Sequence, residues 1–190
     1  MSALHLTLAS ASPRRRDILA RLGLVPDAIK PADIDETPRA AERPRDYALR
    51  MGEEKAAAVD ALGYVLAGDT VVAAGRRILP KTEDKAAARA CLRLLSGRRH
   101  LVLSSVVLRT PEGITRSRLS ESVVRFKALC EDDIAAYLAG DEWRGKAGGY
   151  AIQGSAEGLI QWIKGSHSGI MGLPLYETRT LLKSAGFPIG

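Results

Sequence analysis

Polar and apolar positions alternate from His5 to Ala9, the period of a short strand. Ser12 followed by Pro13 then has the form of a helix N-cap with proline at the first helical position. Ile18, Leu19 and Leu22 supply the apolar stripe of that helix, and Gly23 ends it. Residues 25–45 hold Pro26, Pro31, Pro38 and Pro44 around the acidic run Asp33 to Glu36, which predicts loop with short extended pieces. A helix is expected from Arg45 to Leu62, with Tyr47, Met51, Lys55, Val59 and Leu62 along one face. Tyr64 to Ala74 reads as a hydrophobic strand broken at Gly68-Asp69, turning at Gly75 into a second short strand that ends at Lys81.

Thr82 can cap a helix running to Leu95 and closed by Ser96-Gly97. Leu101–Leu108 and Ser117–Phe126 read as paired strands around the turn Pro111-Glu112-Gly113. Glu131–Leu138 is a short helix with acidic residues in its first turn, where the helix dipole favours them. A glycine-rich segment, residues 145–154, leads into a strand-like stretch at 158–165, and a last helix runs from about Pro174 to Gly186. Helices and strands interleave, but the strand-rich middle argues for an α/β fold with a mixed rather than wholly parallel sheet. No repeat or linker divides the chain, so residues 1–190 are expected to form one domain.

With 46% hydrophobic and 26% charged residues, the composition is that of a globular protein with ample material for a core. No apolar run approaches the roughly 18 residues of a membrane span. The first ten residues lack the basic and apolar regions of a signal peptide, so a cytoplasmic location is expected. Cys91 and Cys130 form no CxxC pair and imply no disulfide framework. The net charge of +6 suits anionic ligands, nucleotides among them. Aromatics at 5%, not interleaved with basic residues, argue against a nucleic-acid surface.

Arg14, Arg15 and Arg16 sit where a helix N-terminus is already electropositive, so an anion nearby would explain them. Helical spacing puts Arg15 in line with Ile18, Leu19 and Leu22, places Arg14 beside that stripe and turns Arg16 away to solvent. Strand, serine-bearing turn and helix N-terminus together suit phosphate; the alternative is that Arg15 snorkels and the arginines pair with carboxylates. Asp69, at the end of a hydrophobic strand, can hold Mg²⁺ or activate a water, or be a turn aspartate. Lys55, on an apolar helix face, either snorkels or reaches an anion, and Lys81 follows an apolar run at a sheet rim. Glu36 can orient a lysine or a metal-bound water, or simply face solvent. Gln153 carries both a donor and an acceptor, which suits a base edge such as uracil or thymine, and Gly148 and Gly149 let backbone approach a ligand. No GxxxxGK[ST] loop and no HExxH motif occur. His167 occupies the central position of Gly165 to Gly169, which argues against a serine nucleophile elbow.

Taken in order, residues 8–15 (LASASPRR), 68–72 (GDTVV), Lys81, 95–100 (LSGRRH), 121–126 (ESVVRF), 146–154 (KAGGYAIQG) and 172–178 (GLPLYET) resemble the Maf family of nucleoside triphosphate pyrophosphatases over nearly the whole chain. The resemblance implies an elongated mixed β-sheet flanked by helices around a central cleft, like the inosine-triphosphate pyrophosphatases. It implies cleavage between the α and β phosphates, a divalent metal (Mg²⁺ or Mn²⁺) and a homodimer. Matching motifs carry substrate binding to Ser10, Arg14, Arg15, Glu36, Lys55 and Lys81. Asp69 takes the place of the proton acceptor, with a metal-ligand role as the alternative. Arg15, Thr70 and Gln153 match the positions that separate subfamilies, and this triplet points to dTTP and UTP; a 7-methyl-GTP pyrophosphatase, with tryptophan at the first position and glutamate at the last, is the alternative. The family's association with inhibited septum formation keeps a second role open, regulation of division through a protein partner. The chain departs from the family pattern at Gly68, Thr82 and Gly145, and lacks an asparagine usual near His167–Gly169.

Overall fold

The computed structural model describes residues 4–189. The elements, in order, are β1 (Leu6–Leu8), α1 (Pro13–Ala20), β2 (Ala28–Ile29), α2 (Pro44–Ala58), β3 (Tyr64–Ala74), β4 (Arg77–Leu79), β5 (Lys81–Thr82), α3 (Lys85–Leu95), β6 (Arg99–Arg109), β7 (Thr115–Phe126), α4 (Glu131–Ala139), β8 (Lys146–Ala147), a 3₁₀ turn (Ser155–Leu159), β9 (Ile160–Lys164), α5 (His167–Met171) and α6 (Leu175–Ser184). Seven strands form one mixed sheet in the order β2-β1-β3-β6-β7-β9, with β4 also paired to β3. β1 runs parallel to both neighbours, and the remaining pairs are antiparallel. This is the mixed α/β architecture expected from the interleaved pattern.

The long strands alternate cleanly, so each face of the sheet has its own apolar layer. Val65, Ala67 and Val71 of β3, with Leu103 and Val107 of β6, pack against Met51, Ala56 and Val59 in and just after α2. On the opposite face Leu66 and Leu108 meet Ile18, Leu19, Leu181 and Leu182 from α1 and α6, while Val72, Val102 and Phe126 meet Leu92, Leu95 and Trp143. Burying each leucine or isoleucine of this kind contributes about 1.5–3 kcal/mol. Among the described residues no helix is long and apolar enough to cross a membrane.

Where the structure departs from the sequence pattern, long-range pairing is the reason. β3 is not broken at Gly68-Asp69, because nine consecutive residues from Val65 to Ala73 are held in register with β6. Lys81 does not end the hairpin strand; it belongs to a separate two-stranded sheet, with Lys81 opposite Ala147 and Thr82 opposite Lys146. Thr82 caps no helix. It is fully buried, its hydroxyl donates to Trp143 O at 2.8 Å, and Asp84 caps α3 instead. α2 stops at Ala58, which leaves Leu62 off the stripe and 91% exposed. Ser12 does stand at the N-cap of α1, without a side-chain capping bond.

One gap in the sheet places the cleft. β1 pairs with β3 only as far as Leu66, and β4 begins only opposite Val72. Residues 67–71 of β3 therefore have a strand neighbour on the β6 side alone. The open side faces the N-terminus of α1, the segment after β2, and the β5–β8 pair; together they enclose a cleft of about 760 Å³.

Candidate active site

The cleft gathers Ser10, Arg14, Arg15, Glu36, Lys55, Asp69, Thr70, Lys81 and Gln153, the residues to which the resemblance assigns substrate binding, catalysis or selectivity. Because successive strand residues point to opposite faces, Asp69 stands on the α2 side of the sheet and Thr70 on the α1 side.

On the α2 side, Lys55 Nζ lies 2.7 Å from Asp69 Oδ1 and 2.8 Å from Glu36 Oε1. Lys81 Nζ lies 2.9 Å from the other oxygen of Glu36. Lys55 thus does not snorkel, and Glu36 is not an idle loop carboxylate: the four side chains form one alternating chain of charge. Burial would raise the Glu36 pKa, but hydrogen bonds from Lys55 and Lys81 outweigh it and hold the carboxyl at about 2. Asp69 Oδ2 receives no hydrogen bond among the described residues, while the Asp69 amide donates to Ser105 Oγ at 3.0 Å. Gly52 makes this approach possible. A Cβ there would stand 2.6 Å from Ser105 Oγ, so only glycine lets α2 lie close enough for Lys55 to meet Asp69.

On the α1 side, Arg15 is fixed by neutral acceptors. Its Nε donates to Gly172 O at 2.9 Å, Nη1 to Ser10 Oγ at 3.0 Å and Nη2 to Thr70 Oγ1 at 3.3 Å. No carboxylate lies within ion-pair distance among the described residues, so its charge is oriented but not cancelled. Burial pushes the Arg15 pKa down, against the opposing pull of Asp69 and Glu36. Arg14 borders the cleft with no hydrogen bond or ion pair among the described residues, and burial and its neighbour Arg15 lower its pKa. Arg16 is solvent-facing, 3.7 Å from Asp17. Gln153 is exposed on the cleft wall, free to turn toward a ligand.

Sequence reasoning missed three contributors. Lys146 borders the cleft, brought there by the β5–β8 pairing, and burial together with Arg14 lowers its pKa. Tyr47 Oη donates to the Glu36 carbonyl at 2.7 Å; its apolar stripe position concealed that contact. Gly172, just after α5, supplies the carbonyl that aims Arg15, and nothing in the local pattern announced α5. The glycines Gly148 and Gly149 play another part than the one expected. Both have positive φ, and a Cβ on either would press on Val72 or Ala88, so they serve close packing against β3 and α3.

Among the described residues no group of three or more His, Cys, Asp or Glu side chains could hold a metal alone. Asp69 and Glu36 nonetheless both reach the same ammonium, which puts two carboxylates at one point of the cleft wall. That donor set fits a hard divalent cation whose remaining ligands are water and phosphate oxygens, the usual arrangement for Mg²⁺.

The family model "Maf-like protein" matches residues 5–185. A protein named dTTP/UTP pyrophosphatase from Novosphingobium aromaticivorans is 60% identical over 97% of this chain and 94% of its own length. One of the same name from Rhodospirillum rubrum is 59% identical over 97% of this chain and 90% of its own, and one from Caulobacter vibrioides is 54% identical over 96% of each. Among solved structures, the Staphylococcus aureus Ham1 protein aligns with 64% of this chain and 71% of its own at 16% identity and a TM-score of 0.45, too loose a likeness to argue from. With a family match spanning nearly all of the described residues, and relatives this similar over nine-tenths or more of their length, the chain belongs to the Maf-like protein family.

Proposed function

We propose that this protein is a nucleoside triphosphate pyrophosphatase that hydrolyses dTTP and UTP to the nucleoside monophosphate and pyrophosphate. The observation that carries the reading is the Asp69 carboxylate, held by Lys55 at the open edge of β3 in a cleft lined by arginines and lysines. The names of the relatives at 53–60% identity agree with it.

Arg14, Arg15, Lys81 and Lys146 take up the triphosphate charge, with Ser10 and the N-terminus of α1 beside the phosphate oxygens. Asp69 Oδ2 accepts a proton from the water that attacks the α-phosphorus. A new P–O bond forms there, the bridging oxygen between the α and β phosphates departs with pyrophosphate, and Lys55 and Lys81 stabilise the charge growing on it. A divalent cation held by Asp69 and Glu36 supplies further charge neutralisation at the phosphates when bound. With such a cation bound, Asp69 would hold it in place of acting as the proton acceptor. Thr70 and Gln153, with Arg15, face the base and sugar and favour a pyrimidine.

Residues 1–190 act as one catalytic domain in this reading. A cytoplasmic site of action accords with the two free thiols, Cys91 and Cys130, and a homodimer is carried over from the family alone. The test is pyrophosphate release from dTTP, UTP, 7-methyl-GTP and inosine triphosphate, with Mg²⁺ or Mn²⁺ and with chelator. Preference for dTTP and UTP that chelation abolishes supports the reading. Preference for 7-methyl-GTP overturns the pyrimidine assignment, and no turnover of any of the four overturns the activity.

A further inference from the structure

Glu36 joins Lys55 and Lys81, yet it stands on a segment with no regular structure. Between the end of β2 at Ile29 and the start of α2 at Pro44, no helix or strand holds the chain. Loops this long inside a compact fold are commonly functional and need tethers of their own. The main-chain tethers around Glu36 are few. Tyr47 Oη bonds its carbonyl, and the Thr37 amide folds back on Asp35 Oδ1 at 2.9 Å.

Side chains of α2 provide the rest, and they converge on Arg50. Its Nε and Nη2 each lie 2.7 Å from one oxygen of Glu42, a two-pronged pairing at the end of the segment. The same Nη2 donates to the carbonyl of Thr37, next to Glu36, at 3.2 Å. Nη1 binds Glu54 one turn further along α2, and the guanidinium lies 5.5 Å from the centre of the Tyr47 ring. Glu42 closes the loop on itself by accepting the Arg39 amide at 2.9 Å, and Arg39 pairs with Glu54. Isolated surface ion pairs contribute little. This one differs, because the Arg50 and Glu42 side chains are only 14% and 9% exposed and the geometry is bidentate.

We propose that Arg50 is a positioning residue for the reaction: by clamping Glu42 and Thr37 to α2 it fixes where Glu36 meets Lys55 and Lys81. The inference rests on the pyrophosphatase reading for its kinetic consequence, but not for its structural one. Arg50 does not line the cleft, and among the described residues its partners are Glu42, Glu54, Thr37 and the Tyr47 ring, none of them a group assigned to substrate. A lysine in its place keeps the charge and loses the fork, so the two functions of the side chain separate.

The experiment pairs hydrogen exchange with a double-mutant cycle. In Arg50→Ala, and to a smaller extent in Arg50→Lys, amide exchange over residues 33–42 is expected to accelerate about tenfold or more while the amides of residues 51–58 hold their protection. With dTTP or UTP, Arg50→Ala is expected to lower kcat roughly tenfold to a hundredfold, with KM changed much less. Added to Glu36→Gln, the same substitution is expected to cost less than about a further twofold, because the group it positions is already disabled. Unchanged exchange over 33–42 overturns the proposal, as does a full multiplicative loss in the Glu36→Gln background. If the wild-type chain releases no pyrophosphate, the activity reading falls alone, and the exchange of Arg50→Lys still decides whether Arg50 holds the segment.

Discussion

Lys55 Nζ and Asp69 Oδ1 meet at 2.7 Å with neither side chain more than 8% exposed. Such a pair orients the carboxylate beside a cleft already rich in cations. Replacing Asp69 by asparagine preserves the shape and the bond from Lys55 but removes the proposed proton acceptor. Asp69→Asn is expected to reduce kcat/KM by about 10²–10⁴-fold while a nucleotide still binds, read from pyrophosphate release and calorimetric titration. Full turnover by this variant removes Asp69 from the mechanism.

Taking away the ammonium has the opposite structural effect. In Lys55→Met, Asp69 and Glu36 confront one another across an apolar helix face with nothing between them. Breaking a buried pair in this way costs about 3–5 kcal/mol, so the urea midpoint should fall markedly at pH 7. Recovery of stability in the double variant Lys55→Met, Asp69→Asn would identify the uncompensated carboxylate as the cause.

His100 offers a pH signature away from the cleft floor. It is buried, its Nε2 lies 2.7 Å from Tyr150 Oη, Nδ1 has no partner among the described residues, and burial lowers its pKa to about 4. The unfolded chain takes up the proton near pH 6.5, before the folded one does. Stability from this residue is therefore complete above about pH 6.5 and declines as pH falls toward 4, where the folded state begins to protonate as well. His100→Gln should flatten unfolding free energy over that window. An unaltered pH slope would remove His100 as its source.

Gly52→Ala tests the close approach of α2 to β6. Alanine improves helix propensity by up to about 1 kcal/mol, yet its Cβ would displace Ser105 Oγ, which holds the Asp69 amide. Overpacking of this kind costs about 1–3 kcal/mol. The expected result is a lower melting temperature together with a lower kcat; a stabilised, fully active variant contradicts the packing account.

Selectivity is separable from chemistry at Gln153. Gln153→Ala deletes one or two neutral hydrogen bonds to a base edge and should raise KM for UTP by roughly 3- to 10-fold, leaving kcat nearly unchanged. An equal change for UTP and inosine triphosphate would show that Gln153 does not read the base.

Local patterns reached far into this fold. Pro13 with Ile18 and Leu19 marks α1, Ser96-Gly97 ends α3, and Pro111 to Gly113 turns β6 into β7, because each is decided within a few residues. The continuity of β3 through Gly68-Asp69 depends on a partner strand some 35 residues away, and no local signal carries that. The site divides in the same manner. Arg15, Lys55 and Asp69 are visible as charges misplaced on apolar stripes. That Glu36 would bridge two lysines, or that Lys146 would line the cleft, follows only from the packing of the loop on α2 and from the β5–β8 pairing.

The gap beside residues 67–71 of β3 has one more consequence. In an ordinary sheet, consecutive residues are walled off from each other by the backbone and answer to different layers of the core. Here the missing neighbour leaves Asp69 and Thr70 bordering one cleft from opposite faces of the sheet. On the proposed reading, substitutions on the Arg15–Thr70 face retune the choice of base without disturbing the layer that holds Asp69 and Lys55, so one scaffold changes its substrate and keeps its reaction.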